Sequence, residues 1–494
     1  MNRRTFLSIG AGAAWLPRAY GAGAKPPNIL YIMSDDHSAR TVSAYGSTRN
    51  KTPNIDRIGR EGMRLDNCFC VDSICTPSRA AILTGKYGHM TGVRNLGDRL
   101  KADQQTFPQL LHKAGYQTGL VGKYHLSNND CEDPPQGFDY WNILPGQGRY
   151  FDPMMYEMGK EQKYTGYTTD IITDHCLAFL KRRDRSRPFL LLCHHKAPHG
   201  LWEYDQKHAG MYSGAMEEPQ TFWDDYRNRS KAMARNEYNF HNQAARMDSP
   251  NWPTGRLNTE GMDERARKAA AYQKFLRDYL RCVASVDDNV GRLLNYLDEE
   301  RLARDTIVIY TSDQGAFTGE HGFYDKRLFY EDSIRMPFLV RYPREIRSGT
   351  ASPAMALNVD FAPTLLDYAG LKAPADMQGR SMRPVLAART PKDWRRSMFY
   401  VYYMHTQLPP HYGVRTQRYK LIAFPQTKEW ELFDLKEDPA EMNSVWGDPR
   451  YASVQAELTA ELAALRKQLK VGDEELPPAH GRGEGGRAQK KKKG

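Results

Sequence analysis

The 494-residue sequence predicts an α/β protein: a large mixed, mostly parallel central sheet flanked by helices, then a smaller C-terminal α+β domain with an antiparallel sheet and a helix. Three observations lead there. NILYIM (28–33) is a continuous apolar run ending in Ser34-Asp35-Asp36, and DTIVIYTSDQG (305–315) repeats that design with Asp313-Gln314. Runs of this kind suit strands buried on both faces, as parallel sheets require. Helical patterns lie between such runs, the alternation that builds a parallel sheet. From about residue 371 the character changes, and MFYVYY (398–403), GVRTQRYKLIAF (413–424) and WELFDL (430–435) read as strands of an antiparallel sheet.

Taken in order, the chain opens with MNRRTFLSIGAGAAWLPRAYGAGA, which has early arginines, an apolar middle and small residues before Lys25. That is the composition of an export signal cleaved after Ala24. The Arg3-Arg4 pair followed by Thr5, Phe6 and Leu7 resembles the twin-arginine signal, and a general secretory signal is the alternative. Helices are expected near 53–62, 106–114, 168–183, 263–299 and 359–370, with strands at 117–122, 188–193 and within 335–343. The longest helix rests on apolar spacing from Ala271 through Phe275, Leu276, Tyr279, Leu280, Val283, Val286 and Val290 to Leu293. Residues 201–262, rich in Tyr, Trp, Asn, Asp and Pro, show little periodicity and read as an irregular insertion near the site. A last helix at 452–470 carries Val454, Leu458, Leu462 and Leu465 on one stripe. The domains expected are therefore a signal at 1–24, a main domain at 25–370, a C-terminal domain at 371–470 and a disordered basic tail at 471–494.

Charge narrows the partners. The formal net charge is +11, but arginines of the signal account for three of those charges and the GRGEGGRAQKKKKG end for five, leaving a nearly balanced body. A nucleic-acid partner is not expected, and no apolar run is long enough to span a membrane. Seven cysteines (68, 70, 75, 131, 176, 193 and 282) follow no spacing that suggests a disulfide framework, and Cys68-x-Cys70 with Cys75 lacks a nearby fourth ligand for zinc.

The chemistry concentrates in two places. Asp35, Asp36, Asp313 and Gln314 stand at the ends of two strands, and sites in open α/β sheets collect beyond the carboxyl ends of strands. Three carboxylates and an amide form an all-oxygen set suited to a hard divalent cation such as calcium. Between them lies CTPSRAAILTG (75–85), a short helix closed by Gly85. It sets Cys75 at a helix N-terminus with Arg79 one turn on, where a thiol is expected to be ionised and reactive.

The eleven residues 75–85 resemble the C-x-P-S-R-x-x-x-L-T-G signature of the type I sulfatases, with every fixed position met. The resemblance covers about residues 26–470 and implies an alkaline-phosphatase-like sandwich. It implies that a separate maturing enzyme oxidises Cys75 to Cα-formylglycine, whose hydrate attacks sulfur and later expels sulfate. Pro77 and Arg79 then belong to the maturation signal, and Arg79 also supports the aldehyde. Asp35, Asp36, Asp313 and Gln314 match the family's calcium ligands, with the sulfated oxygen at Cys75 completing the shell; many relatives carry Asn where Gln314 stands. Gly122-Lys123-Tyr124-His125 resembles the family's G-K-W-H segment, His199 its substrate-facing histidine and Lys326 its second active-site lysine. His199, helped by Lys326, would protonate the leaving oxygen and His125 would serve as base.

Stretches at 137–153, 196–204, 411–422 and 430–446 look like the N-acetylglucosamine-6-sulfatase and heparan-type branch, and like bacterial exo-sulfatases of glycosaminoglycan or mucin sugars. His321, His405, His411 and Arg415 are the expected substrate contacts. The partners implied are a sulfated carbohydrate, the maturing enzyme and the export machinery, with the protein periplasmic or secreted. The alternatives are a phosphomonoester or phosphonate-ester hydrolase of the same superfamily and an inactive secreted carbohydrate-binding protein.

Overall fold

The computed structural model describes residues 25–127, 131, 133–403 and 408–476. The expected export signal, His405 and the lysine-rich end lie outside the described residues. Ten strands form the central sheet, and its middle five, Thr306–Ser312, Asn28–Ser34, Phe189–His194, Gln117–Lys123 and Tyr140–Leu144, run parallel in that spatial order. Antiparallel strands Phe338–Arg341 and Met154–Glu157 flank the five. The continuous apolar runs have the cause expected of them: Ile29, Tyr31 and Met33 enter the core on one face of the sheet, and Leu30 and Ile32 enter the core on the other.

The long helix Glu264–Glu299 covers the second face, beginning at Asp263, whose side chain accepts from Ala266 N at 2.8 Å. Midway along it, the Asp287 carboxylate accepts from the backbone N–H of Asn54 and Ile55, at 3.1 and 2.8 Å. This satisfies first-turn donors of the helix Pro53–Arg60 that have no partner within their own helix. On the first face lie the helix Cys75–Thr84, buried at every position, and the helix Phe361–Tyr368. Gly85 ends the former at φ 68°, as the sequence predicts.

Three expectations change. The insertion at 201–262 is not wholly irregular: it contains the helix Phe240–Met247, whose Phe240 ring meets Tyr272 and Phe275 of the long helix at 5.6 and 5.2 Å. Tertiary aromatic packing orders a segment with weak periodicity. The run 413–424 divides into strands His411–Thr416 and Tyr419–Phe424, joined by a turn in which Thr416 Oγ1 accepts from Tyr419 N at 2.9 Å. Together with Ser397–Tyr402 and Glu429–Asp434 they make a four-stranded antiparallel sheet. The basic tail starts later than residue 471, since Val471 is buried and Glu475 pairs with Arg94. The C-terminal sheet also shares the first core with the main sheet, through Phe399, Val414 and Leu421.

One glycine ties the fold to the site. Gly122 has φ 104°, and a Cβ there would lie 1.9 Å from the His194 carbonyl oxygen on the neighbouring strand. Backbone cannot yield as a flexible side chain can, so only glycine brings the two strands together just before Lys123. Gly122→Ala is expected to cost more than about 3 kcal/mol, seen as a lower melting temperature or loss of soluble protein. Gly97→Ala, with nothing within 4 Å, should melt with the wild type. Wild-type melting of Gly122→Ala would contradict this role for the glycine.

Candidate active site

The site forms where the parallel strands end. Ser34 and Ser312 are register partners, so Asp35-Asp36 and Asp313-Gln314 leave adjacent strands at one level. Lys123 is the last residue of its strand, and Gly122 pairs with His194 of the next. Lys326 comes directly after the short strand Tyr324–Asp325. The signature helix lies across these ends and is fixed by Ser78, whose hydroxyl donates to the Asp313 carbonyl and accepts from Asn358 Nδ2 at 2.8 Å.

Acids and bases then pair in three dimensions. Asp35 Oδ2 accepts from Lys123 Nζ, which also donates to Gln147 Oε1 at 2.5 Å. Both oxygens of Asp36 lie 2.6 Å from Lys326 Nζ, and Gln314 Nε2 donates to one of them. Arg79 Nε donates to Asp313 Oδ2 at 2.9 Å, and its Nη1 donates to the Lys123 carbonyl. His199 Nε2 stands 3.7 Å from Asp36 Oδ2, with Nδ1 2.9 Å from the Gly200 carbonyl. His125 Nδ1 is 3.4 Å from Thr76 Oγ1, next to the cysteine.

Burial and pairing compete in setting the charges. Burial pushes Asp35 up, but Lys123, His199, Arg79 and Lys326 together hold it well below the usual carboxylate range. Burial raises Asp36, with Lys326 opposing. Asp313 is pushed up to about 7 by burial and by Asp35, against Arg79. Burial and then Lys123 hold His125 and His199 well below their ordinary value, so both imidazoles are neutral. Lys326 is held protonated by Asp325 and Asp36 against its burial. The Cys75 thiol departs from expectation. Burial raises it above its ordinary value despite Lys123 and Lys326, so it is a neutral thiol, not a thiolate. A helix N-terminus contributes about 1 kcal/mol, whereas full burial shifts a group by up to several pKa units.

The acid cluster fits a hard cation. Asp35, Asp36 and Asp313 each offer an oxygen within 4.8 Å of the other two, and all three are buried. Asp35 Oδ1 and Gln314 Oε1 are buried with no hydrogen-bond partner. Orphaned acceptors beside crowded carboxylates are what an oxygen-ligated divalent ion would satisfy. Gln314 reaches the cluster through its Nε2, which donates to Asp36, and its amide oxygen is left buried without a partner.

Beyond these residues lies a cavity of about 240 Å³ whose wall includes Asp36, Cys75, His199 and Lys326. The expected substrate contacts within the described residues do not line it. His411 is fully buried, with Nδ1 3.0 Å from the Pro409 carbonyl and Nε2 accepting from Phe329 N at 3.1 Å. Arg415 is committed to Glu331, at 3.0 and 2.9 Å. Both fasten the C-terminal sheet to the segment just after Lys326, so they hold the lysine in place. His321 is buried against Asp224 at 2.8 Å, tying the same segment to the insertion, because Asp224 offers it a carboxylate inside the protein. His405 lies outside the described residues. Gln147, Tyr238, Gln243, Arg246 and Arg327 line the cavity instead. Sequence signals for these are only regional: Gln147 in the 137–153 stretch, Tyr238, Gln243 and Arg246 in the insertion expected near the site, and Arg327 beside Lys326.

The neutral thiol has a direct consequence. Unconverted Cys75, monitored by peptide mass at pH 8, is expected to alkylate at least about tenfold more slowly than free cysteine. Alkylation at the free-thiol rate would contradict a neutral, buried thiol.

Comparison with known proteins bears on the same region. Residues 27–371 match the sulfatase family, and residues 319–468 match the family described as N-sulphoglucosamine sulphohydrolase, C-terminal. The chain is 42% identical to N-acetylglucosamine-6-O-sulfatase of Bacteroides thetaiotaomicron, over 91% of this chain and 88% of that protein. It is 29% identical to human N-acetylglucosamine-6-sulfatase, over 77% of this chain and 68% of that one. A solved structure described as a complex with its substrate D-glucosamine-2-N,6-O-disulfate superposes with a TM-score of 0.85 at 42% identity, covering 91% of this chain and 99% of that chain. The first matched stretch holds every strand end and loop from Asp35 to Lys326, and this chain belongs to the sulfatase family, as a hydrolase of sulfuric esters.

Proposed function

We propose that the protein removes the 6-O-sulfate from an N-acetylglucosamine or related glucosamine unit of a glycosaminoglycan or mucin-type glycan. It acts after export, with calcium bound at Asp35, Asp36, Asp313 and Gln314 and with Cys75 converted to Cα-formylglycine by a maturing enzyme. The observation that carries the sugar assignment is the 42% identity to a 6-O-sulfatase across 91% of the chain, and the pocket's lining falls within the stretch 27–371 that matches the sulfatase family. The crowded oxygen cluster with its orphaned acceptors supports the cation, and the complete signature around Cys75 supports the conversion.

When present, the aldehyde at Cys75 supplies the nucleophile and the cation draws charge from the sulfate oxygens. The chain's own groups do the remainder. The ammonium groups of Lys123 and Lys326, both essentially unexposed, stand near enough to act on the charge at Cys75, and the anionic head is bound beside them in a medium that screens little. Arg79 keeps Asp313 and the Lys123 backbone in register by a fork that lysine could not reproduce. Lys326 stores a proton between Asp36 and Asp325, and His199 beside Asp36 passes it to the departing sugar oxygen. Neutral His125, close to Thr76, takes the proton released when sulfate is expelled.

The test is sulfate release from N-acetylglucosamine-6-sulfate, with the 6-phosphate alongside, on protein whose Cys75 peptide carries the aldehyde by mass. The 6-sulfate should turn over at least about a hundredfold faster in kcat/KM. Faster turnover of the phosphate would establish a phosphoester hydrolase, and turnover of neither would remove the monosaccharide assignment.

A further inference from the structure

The insertion that is nearly featureless in sequence supplies one wall of the cavity. Its helix, Phe240–Met247, places Gln243 and Arg246 three residues apart, hence on neighbouring positions of one face, and both line the pocket. Gln243 is fully buried, yet neither its Oε1 nor its Nε2 has a hydrogen-bond partner. A buried amide costs stability unless it is satisfied, and this one stands in the wall of the cavity beside Cys75.

Charge distinguishes Arg246 from the other cations of the wall. Lys326 is neutralised by Asp36 at 2.6 Å, and Arg327 by Asp325 at 2.6 Å. Arg246 has no carboxylate partner among the described residues. Its Nη1 is 3.0 Å from the Tyr324 hydroxyl, which fixes the guanidinium to the segment that delivers Lys326 two residues later. Half-exposed at the rim, it holds an unbalanced positive charge at a set position relative to the reacting centre.

We propose that Phe240–Met247 is a substrate-reading helix in which Arg246 forms a second anion subsite, for a sulfate on the sugar nitrogen, and Gln243 bonds to a ring substituent common to both sugars. The inference rests on the glucosamine reading above and adds what selects among glucosamine sulfates. The chemistry suits Arg246: a planar guanidinium presents paired donors to a sulfate, and an N-acetyl group offers no charge for it to meet. The enzyme would thus prefer the disulfated sugar through binding, not through the chemical step.

Steady-state kinetics on aldehyde-bearing protein test this with two substrates, D-glucosamine-2-N,6-O-disulfate and N-acetylglucosamine-6-sulfate. Arg246→Gln should raise KM for the disulfate about ten- to a hundredfold, leave kcat within about twofold, and change N-acetylglucosamine-6-sulfate by less than about threefold. Gln243→Leu should weaken both substrates about equally. The melting temperature of Arg246→Gln should match the wild type, since the side chain is at the surface. Equal losses on both sugars with Arg246→Gln, or no loss on either, would overturn the subsite. Release from neither sugar by the wild type would overturn the glucosamine reading and the subsite with it.

Discussion

Three carboxylates buried together at the ends of two adjacent strands are the constraint on which the rest of this structure depends. Asp35, Asp36 and Asp313 are buried and repel one another, and their nearest cations are Lys123, Lys326 and Arg79 respectively. Those cations come from three separate parts of the chain. The sheet register fixes the acids, the glycine at 122 fixes Lys123, and the signature helix fixes Arg79. Three acids and three bases balance, so a divalent ion among the acids leaves a surplus of two positive charges facing Cys75. An anionic, tetrahedral head is what such a surplus attracts.

The smaller sheet gains a purpose from the same constraint. Lys326 sits in a segment with little regular structure, which alone would not hold an ammonium to within tenths of an ångström. The C-terminal sheet grips the residues immediately C-terminal to this lysine. Phe329 stacks on Tyr400 at 4.3 Å, Tyr400 donates to the Arg327 carbonyl, and Glu331 takes Arg415 and Lys420. Each of these pairs is buried, where breaking one leaves an uncompensated charge or donor. The sheet is thus a clamp on the segment that carries Lys326, and it shares a hydrophobic core with the main domain.

How much of this the sequence disclosed depends on where each residue's partners lie. The acids Asp35, Asp36 and Asp313 sit at strand ends and Cys75 and Arg79 at a helix start, so local pattern points to them, whereas Lys123 is found through its resemblance to the family's G-K-W-H segment. The strands around them were legible because burial on both faces leaves an unbroken apolar run. His411 and Arg415 were expected to meet a sugar because the 411–422 stretch resembles the glucosamine-6-sulfatase branch, yet their partners, Phe329 and Glu331, lie far away in sequence and only the fold unites them. Gln243 and Arg246 escaped notice because the helix that carries them is ordered by aromatic packing on the long helix, not by its own periodicity. The charge on Cys75 was misjudged for a related reason: the helix terminus was visible in sequence, and the depth of burial was not.

The measurement that tests the central claim most directly is thermal melting of chelator-treated protein as calcium is added back, beside the Asp313→Asn variant. If the three carboxylates and Gln314 form a cation site, a hundredfold excess of calcium over its dissociation constant stabilises the native state by about 2.7 kcal/mol. The melting temperature of the wild type should then rise with calcium and saturate, while Asp313→Asn shows little or no shift. Superimposable wild-type curves with and without calcium would contradict a cation site, because the buried acids would then be balanced by the chain's own cations alone.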